Sequence, residues 1–557
     1  MNPLILKGIR ENLRLKHLIA AGLFSLIVSS TVYLTAYLDG SEGRWTQEPV
    51  TKEWEKGDSS PINGARYAFP FLLALQGFYL MFLGTGRVAS ITAEERESGL
   101  LDYQRMTPMN PFSKVIGYLF GIPAREYYMF FFTLPFLAHA LLVGKLPFGN
   151  ILQLYSVFFC SVILYHLTAH AVGLVVPKPR AASWVSRLVV LGLYVVLPGL
   201  GQAGISFLSF LTILPTYFGK ILPVLQGEGI DKSSGFDSES KISDFWRDVP
   251  FFDFTISPTT FTFLMQGLLL VTLLVTGYRK WRNQALPALS KASALFIFLI
   301  FQFLLLGCLW TFFDKGEASG LIGQEFSANA FKGKEDKMIG GLILVISIFF
   351  SLSLLFILCL VNICCPNRHL YLRGIQRVAK FNLARIPRMA DESSALGLML
   401  ILGLLALFSY SALIKLALNS DFWTLGSSFF SLSLIPTTTL FLTICYLQAS
   451  RELWFNLGFW GFIGLLWITP LLASLVLAVG WGEENMSVIL KLLAINPLSI
   501  IPLHWISANS EKIGLPQNLS QAFSSAIWFG LLIAASFAII LQARLFYIRK
   551  NNWLTQG

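Results

Sequence analysis

Glu94, Glu95, Arg96, Glu97, Asp102 and Arg105 crowd into one short stretch, RVASITAEERESGLLDYQRMTP, residues 87 to 108. They do not suit catalysis, because the sequence offers no convergent acid, base and nucleophile around them. Nor can they sit in lipid, where an ionised side chain costs at least ~2.5 kcal/mol even on the mildest scales. The stretch must therefore join two membrane spans from outside the bilayer, as a cytoplasmic elbow. Ser90 and Thr92 are candidate helix caps, with acids in the first turn where the helix dipole favours them. Gly99 interrupts the helix, and Thr107-Pro108 and Asn110-Pro111 stop it, since proline lacks the donor and restricts the residue before it. Two short helical pieces are expected.

Other residues able to do chemistry are few. His166 and His170, at i, i+4 on one helix face, have a spacing that can ligate zinc, but no carboxylate or third ligand accompanies them. Hydrogen bonding between helices is the better reading, and no metal is assigned. Arg125 and Glu126 stand where a span begins and read as an interfacial ion pair, with a gating role as the alternative. The six cysteines all fall in or at the end of apolar runs without zinc or CxxC spacing, so they read as free thiols. No GxxxxGK[ST] phosphate loop occurs. Gly84-Thr85-Gly86-Arg87 lacks both its lysine and its spacing. No catalytic residue and no cofactor are implied, and an ATP motor would have to be another polypeptide.

The elements that must position these residues are membrane helices. The 557-residue chain is 55% hydrophobic and only 13% charged, well below the ~25% charged of soluble domains. The +11 net charge is read by location, and nucleic acid is excluded as a partner. A basic lead (Lys7, Arg10, Arg14, Lys16) precedes an apolar run over 18–38 that is too long for a signal-peptide core and long enough to span. Further apolar runs place spans near 67–86, 127–143, 151–176, 188–206, 257–277, 293–313, 338–365, 395–417, 428–448, 454–479 and 523–543. With both termini and alternate loops inside, about 26 of the 42 Lys and Arg fall on the inner side, and the acids divide the other way. The fold class is an all-α integral membrane protein of about 12 transmembrane helices, N-in and C-in.

Loop lengths suggest a repeat. From the first span the loops run about 28, 40, 7, 11 and 50 residues, and from the seventh about 24, 29, 10, 5 and 43. A tandem 6+6 organisation follows: residues 1–278 as one six-span half, 279–292 as a cytoplasmic linker, and 293–557 as the second half. Each half's last outer loop holds apolar stretches too short to span, 207–225 and 486–506, which read as interfacial or re-entrant helices.

An acid-Arg-Glu-x-Gly run after the second span, followed by Thr-Pro and an apolar segment with glycine, resembles the permeases of type-2 ATP-binding-cassette (ABC-2) exporters. LAINPLSIIP, residues 493 to 502, is similar to the Asn-Pro-Leu often met before their last span. The resemblance implies that the elbow is a coupling helix docking on a separate cytoplasmic ABC ATPase, through Thr92, Glu94, Glu95, Arg96, Glu97, Gly99, Thr107 and Pro108. It implies two permease units fused in one chain, an exporter, and the plasma (inner) membrane. The loop 366–394 is strongly basic and lacks Glu-Arg-Glu. Arg373, Arg377 and Arg385 there are candidates for a second cytoplasmic contact, or for holding anionic membrane lipid. Few ionisable groups lie deep in the spans, which weakens a twelve-span secondary transporter; a non-transporting scaffold or enzyme is the third alternative. Paucity of buried charge points weakly to an amphiphilic substrate.

Overall fold

In lipid each backbone donor and acceptor must be satisfied within its own segment, so long apolar runs wind into helices. The structure, a computed structural model, describes residues 2–12, 15–42, 45–47, 54–56, 59–202, 206–226, 248–283, 286–316, 335–366, 368–383, 385–420, 422–423, 425–454, 456–481 and 486–556. Among these, β structure is confined to two short two-stranded ribbons and almost everything else regular is helix. Eleven helices among the described residues are long and apolar enough to cross a membrane. The chain is an all-α, multi-pass integral membrane protein. It divides into two compact units, Met1–Val249 with Ile256–Arg282 and Pro250–Thr255 with Asn283–Gly557.

The first unit contains α1 (Pro3–Asn12), α2 (Leu15–Ser41), α3 (Pro61–Glu97), α4 (Leu100–Met106), α5 (Pro111–Gly121), α6 (Ala124–Val143), α7 (Phe148–Val175), α8 (Pro179–Gln202) and α9 (Pro258–Arg282). The fifth expected span falls on α8, a helix of 24 residues that is not among the eleven; residues 203–205 at its expected end lie outside the described ones. Between α8 and α9, Ser206–Leu211 and Leu214–Gln226 form short helical turns where the sequence predicts interfacial segments. Apolar side chains of α2 such as Leu23, Phe24, Ile27 and Leu34 point outward, as a lipid-facing helix requires.

Helix α3 is not regular. Phe78–Gly84 is wound as a π-helix, which displaces the usual i→i−4 bonding. The displaced carbonyl of Leu80 accepts a hydrogen bond from His166 Nε2 on α7 at 2.9 Å. Gly84 makes room for that ring: a Cβ there would lie 2.8 Å from Nε2. Further along α7, Gly173 lets the two helices touch, since its Cβ would meet Thr92 Cβ at 2.6 Å. A small core of Val88, Ala93, Leu101, Val115, Leu119, Ala169 and Trp281 fills the space behind the end of α3.

The second unit contains α10 (Lys291–Lys315), α11 (Glu335–Cys364), α12 (Arg368–Lys380), α13 (Leu396–Asn419), α14 (Phe429–Leu453), α15 (Leu457–Val479), α16 (Met486–Leu493), α17 (Pro497–Ala508) and α18 (Gln517–Gln556). The expected short segments at 486–506 are α16 and α17. Asn496 caps α17, its Oδ1 accepting from Leu498 N at 2.9 Å while its Nδ2 donates to Trp467 O at 3.2 Å. Gly530 brings α18 against this turn, for its Cβ would lie 2.1 Å from Ala494 O. The indoles of Trp505 and Trp467 donate to the hydroxyls of Tyr410 and Tyr446, each at 2.8 Å, so these buried polar atoms are satisfied inside the bundle.

Candidate functional site

The charged elbow begins as the end of α3, which corrects the expected capping. Ser90 and Thr92 are mid-helix residues, and the first piece is continuous with the second span down to Glu97. The helix carries one interior proline, Pro70, and one π-helical stretch, Phe78–Gly84, and runs through both until Gly99. Gly99 then breaks the chain direction. It takes a left-handed conformation, φ 76°, and no atom lies within 4 Å of where its Cβ would be, so the backbone alone demands glycine. An L-side chain there would be strained by roughly 1–2 kcal/mol. After α4, Thr107 is extended, as a residue before proline must be, and donates through Oγ1 to Gln104 O at 2.6 Å; Pro108 is exposed in the turn. Asn110 starts α5 as its cap, accepting from Phe112 N at 3.0 Å.

The elbow has two faces. Thr92, Glu95, Arg96, Leu101 and Gln104 turn inward. Glu94, Glu97, Leu100, Asp102, Tyr103 and Met106 turn outward, with Tyr103 65% and Met106 79% exposed. Arg96 donates to the carbonyls of Leu174 at 2.6 Å and Val176 at 2.7 Å, capping the C-terminal end of α7 where the helix dipole welcomes a cation. Glu95 accepts from Lys7 Nζ at 2.9 Å, from Gln104 Nε2 at 3.3 Å and from the Tyr118 hydroxyl. Its carboxylate is therefore shared among α1, α4 and α5.

Beneath α4, the buried Lys114 of α5 donates to Gln104 O at 2.7 Å and Thr107 O at 3.3 Å, so it satisfies the carbonyls that end that short helix. Burial, with the Arg105 guanidinium adding to it, pushes Lys114 below its ordinary value. Burial and the Glu95 charge push the Tyr118 hydroxyl up, keeping it a donor. Behind these, the indole of Trp281 donates to His170 Nε2 at 3.0 Å. A neutral ring accepting there carries its proton on Nδ1, which faces Thr92 Oγ1 at 3.2 Å. His166 and His170 thus serve different partners, and no metal-holding group of His, Cys, Asp and Glu occurs among the described residues.

Helix α1 closes the inward face. Its residues Leu4, Ile5 and Gly8 lie on α5 at Gly117 and Gly121, where a Cβ on Gly8 would come within 2.3 Å of Gly121 O and one on Gly117 within 2.5 Å of Leu4 Cβ. Asn2 Nδ2 donates to Ser113 Oγ at 3.1 Å, and Lys7 is thereby aimed at Glu95.

Sequence reasoning missed Lys7, Gln104, Lys114, Tyr118 and Trp281. The Gly117-x-x-x-Gly121 spacing and the shared face of Lys114 and Tyr118 are readable signals of a packed α5. Trp281 falls in the expected linker 279–292, whereas α9 continues to Arg282 and buries that indole.

In the second unit, Arg373, Arg377 and Arg385 are exposed. Arg377 reaches Glu392 at 3.5 Å, and α12 turns Gly374, Ile375 and Val378 inward. The buried Lys291 donates to the carbonyls of Ser393 at 2.8 Å and Ser394 at 3.1 Å, tying down the end of the basic loop. Glu452 accepts from Gln448 Nε2 at 2.6 Å and pairs with Arg549.

No family model, no curated protein and no solved structure matches this chain.

Proposed function

We propose that this chain is the permease of an ATP-driven exporter of the ABC-2 type, driven by a separate cytoplasmic ABC ATPase that engages the elbow between α3 and α5. The observation that carries this reading is the division of the elbow. Its inward side is tied to α1, α5 and α7 by charged hydrogen bonds, and its outward side presents Tyr103, Met106 and Leu100 among Glu94, Glu97 and Asp102. A rigidly backed surface of exposed aromatic and thioether groups with acidic surroundings suits docking, since such anchors dominate interface energetics and charges set orientation. A merely solvated loop needs neither the backing nor the apolar anchors.

On this reading the protein is a transport component and not an enzyme, with about twelve spans as two fused six-span permeases, N-in and C-in, in the plasma membrane. Arg373, Arg377 and Arg385 on the basic loop supply the second cytoplasmic contact, and an amphiphilic molecule is the substrate. Affinity purification of the detergent-solubilised full chain is expected to bring an ABC ATPase with it; recovery of the intact chain without any nucleotide-binding subunit, under conditions that preserve other membrane complexes, argues against the proposal.

The topology has its own test. Ser59 and Ser98 are exposed and Ser393 is buried beneath Lys291, so Ser59, Ser98 and Arg385 are the positions to use. In a chain freed of its own cysteines, Ser59→Cys should label with a membrane-impermeant thiol reagent in intact cells. Ser98→Cys and Arg385→Cys should label only after permeabilisation, and outside labelling of either sinks the N-in arrangement.

A further inference from the structure

A cavity of about 350 Å³ opens between α3, α6 and α8, and none of the elbow's outward-facing residues lines it. Arg87 and Ser90 line it from α3, Arg125 and Glu126 from the start of α6, and Ser183 and Arg187 from the first part of α8. Three guanidinium groups face one carboxylate, which leaves the cavity with a formal surplus of positive charge. Glu126 is 1% exposed and its Oε1 serves both Arg87 Nη1 at 3.3 Å and Arg125 Nη2 at 3.0 Å.

Arg187 is held differently. Its guanidinium lies 5.5 Å from the Phe82 ring centroid and 5.8 Å from that of Trp184, and its buried Nε has no hydrogen-bond partner. The backbone is shaped to accept it: a Cβ on Gly86 would lie 2.1 Å from Arg187 Nε. Aromatic faces fix the plane of the guanidinium and leave donors of its fork unspent, the state suited to two-point recognition of an oxyanion. The serine hydroxyls can donate to the remaining oxygens.

The cavity's place narrows the ligand. Arg87 lies about 15 Å along α3 from Glu97 at 1.5 Å per residue, and Arg125 and Ser183 each fall within the first turns of their helices. The starts of α6 and α8 thus meet α3 here, beside Arg87, the first charged residue to follow the apolar run of its span. A volume near the lower end of small-molecule sites, ~300–1,000 Å³, holds a headgroup phosphate with its glycerol and not a whole lipid.

We propose that this cavity binds a phosphate group at the elbow-side membrane boundary, through the guanidinium groups of Arg187, Arg125 and Arg87. The phosphate comes from an anionic phospholipid or from a soluble phosphate ester, and the test separates the two sources. The full chain, purified in detergent, is titrated with phosphatidylglycerol and with phosphatidylcholine by native mass spectrometry. In parallel, inorganic phosphate is titrated while tryptophan fluorescence is followed, since Trp184 stacks on Arg187. Preferential retention of phosphatidylglycerol supports the headgroup source; a saturable fluorescence change with phosphate supports the soluble source; either result should weaken about tenfold or more in Arg187→Gln. Ser183→Asp, which adds a competing carboxylate without opening a void, should weaken it as well. Glu126→Gln should strengthen it, a gain that a purely structural role of these residues does not produce. Equal retention of the two lipids with no phosphate response, or binding in a folded Arg187→Gln chain equal to that of the parent, overturns the proposal.

Discussion

Replacing Tyr103 and Met106 together by Asp is expected to abolish association with the proposed ATPase partner, while membrane insertion and thermal stability stay near those of the parent. Both side chains are largely exposed, so neither contributes much to the fold. Burying a large apolar side chain in an interface contributes roughly 1.5–3 kcal/mol, so losing both and desolvating two carboxylates should lower affinity a hundredfold or more. The acidic surroundings matter less: Glu97→Ala should change affinity by well under 1 kcal/mol, as rim charges usually do. Co-purification of the ATPase, quantified against the parent, decides the matter. If the Tyr103/Met106 variant keeps its partner, or if Glu97→Ala alone loses it, the outward face of α4 is not the docking surface.

Glu95→Ala should behave in the opposite way, harming the protein before any partner is involved. The substitution unpairs the part-exposed Lys7, removes one of the two acceptors of the buried Tyr118 hydroxyl, the other being Gln104 Oε1 at 2.8 Å, and loosens α1 from α4 and α5. Losing a carboxylate that accepts several charge-assisted bonds should destabilise the first unit by about 2–4 kcal/mol. The expected readouts are a lowered unfolding temperature in detergent and faster proteolysis between α1 and α2. Glu95→Gln, which keeps an acceptor for Tyr118, should recover part of the loss. An unchanged melting profile in Glu95→Ala would mean the network contributes nothing. Alkaline pH should mimic the substitution. Burial works against the charge on Lys7, but the hydrogen bond and charge of Glu95 outweigh it and hold Lys7 above its ordinary value of 10.5. The native state therefore binds this proton more tightly than the unfolded chain does. Its stabilisation is complete at neutral pH and is lost as pH rises through the folded value, above about 10.5.

These two expectations show where the sequence was informative. The places at which the chain changes direction were legible, because Gly99, Thr107-Pro108 and Asn110-Pro111 act on their own backbone and need no distant partner. The membrane helices were legible for the same reason, since a long apolar run has one stable solution in lipid. The direction in which each charge of the elbow points was not legible. Glu94, Glu95, Arg96 and Glu97 are neighbours with nothing in the string to rank them, and what separates them is tertiary: α7 ends within reach of Arg96, and Lys7, 88 residues away in sequence, meets Glu95. A test that treats Glu95 and Glu97 as equivalent docking charges mixes an internal anchor with a surface group. The capping role expected of Ser90 and Thr92 failed through continuity of α3, which no local residue type announces. The cavity between α3, α6 and α8 was half visible, as the pair Arg125 and Glu126; Arg187 entered it only through the fold.

Helix α1 sets an order of events during synthesis. Asn2 and Ser113, bonded in the finished protein, are 111 residues apart. At roughly 5–20 residues per second, α1 leaves the ribosome on the order of 5–20 s before its glycine-lined seat on α5 exists. In that interval it cannot be soluble and undocked for long, with Leu4, Ile5, Leu6 and Ile9 set among Lys7, Arg10 and Glu11 in an amphipathic helix. Such a helix lies flat on the headgroup layer, apolar side down. The nascent chain is therefore expected to park α1 on the membrane surface until Gly117 and Gly121 arrive, when α5 draws it off that surface to lock the elbow.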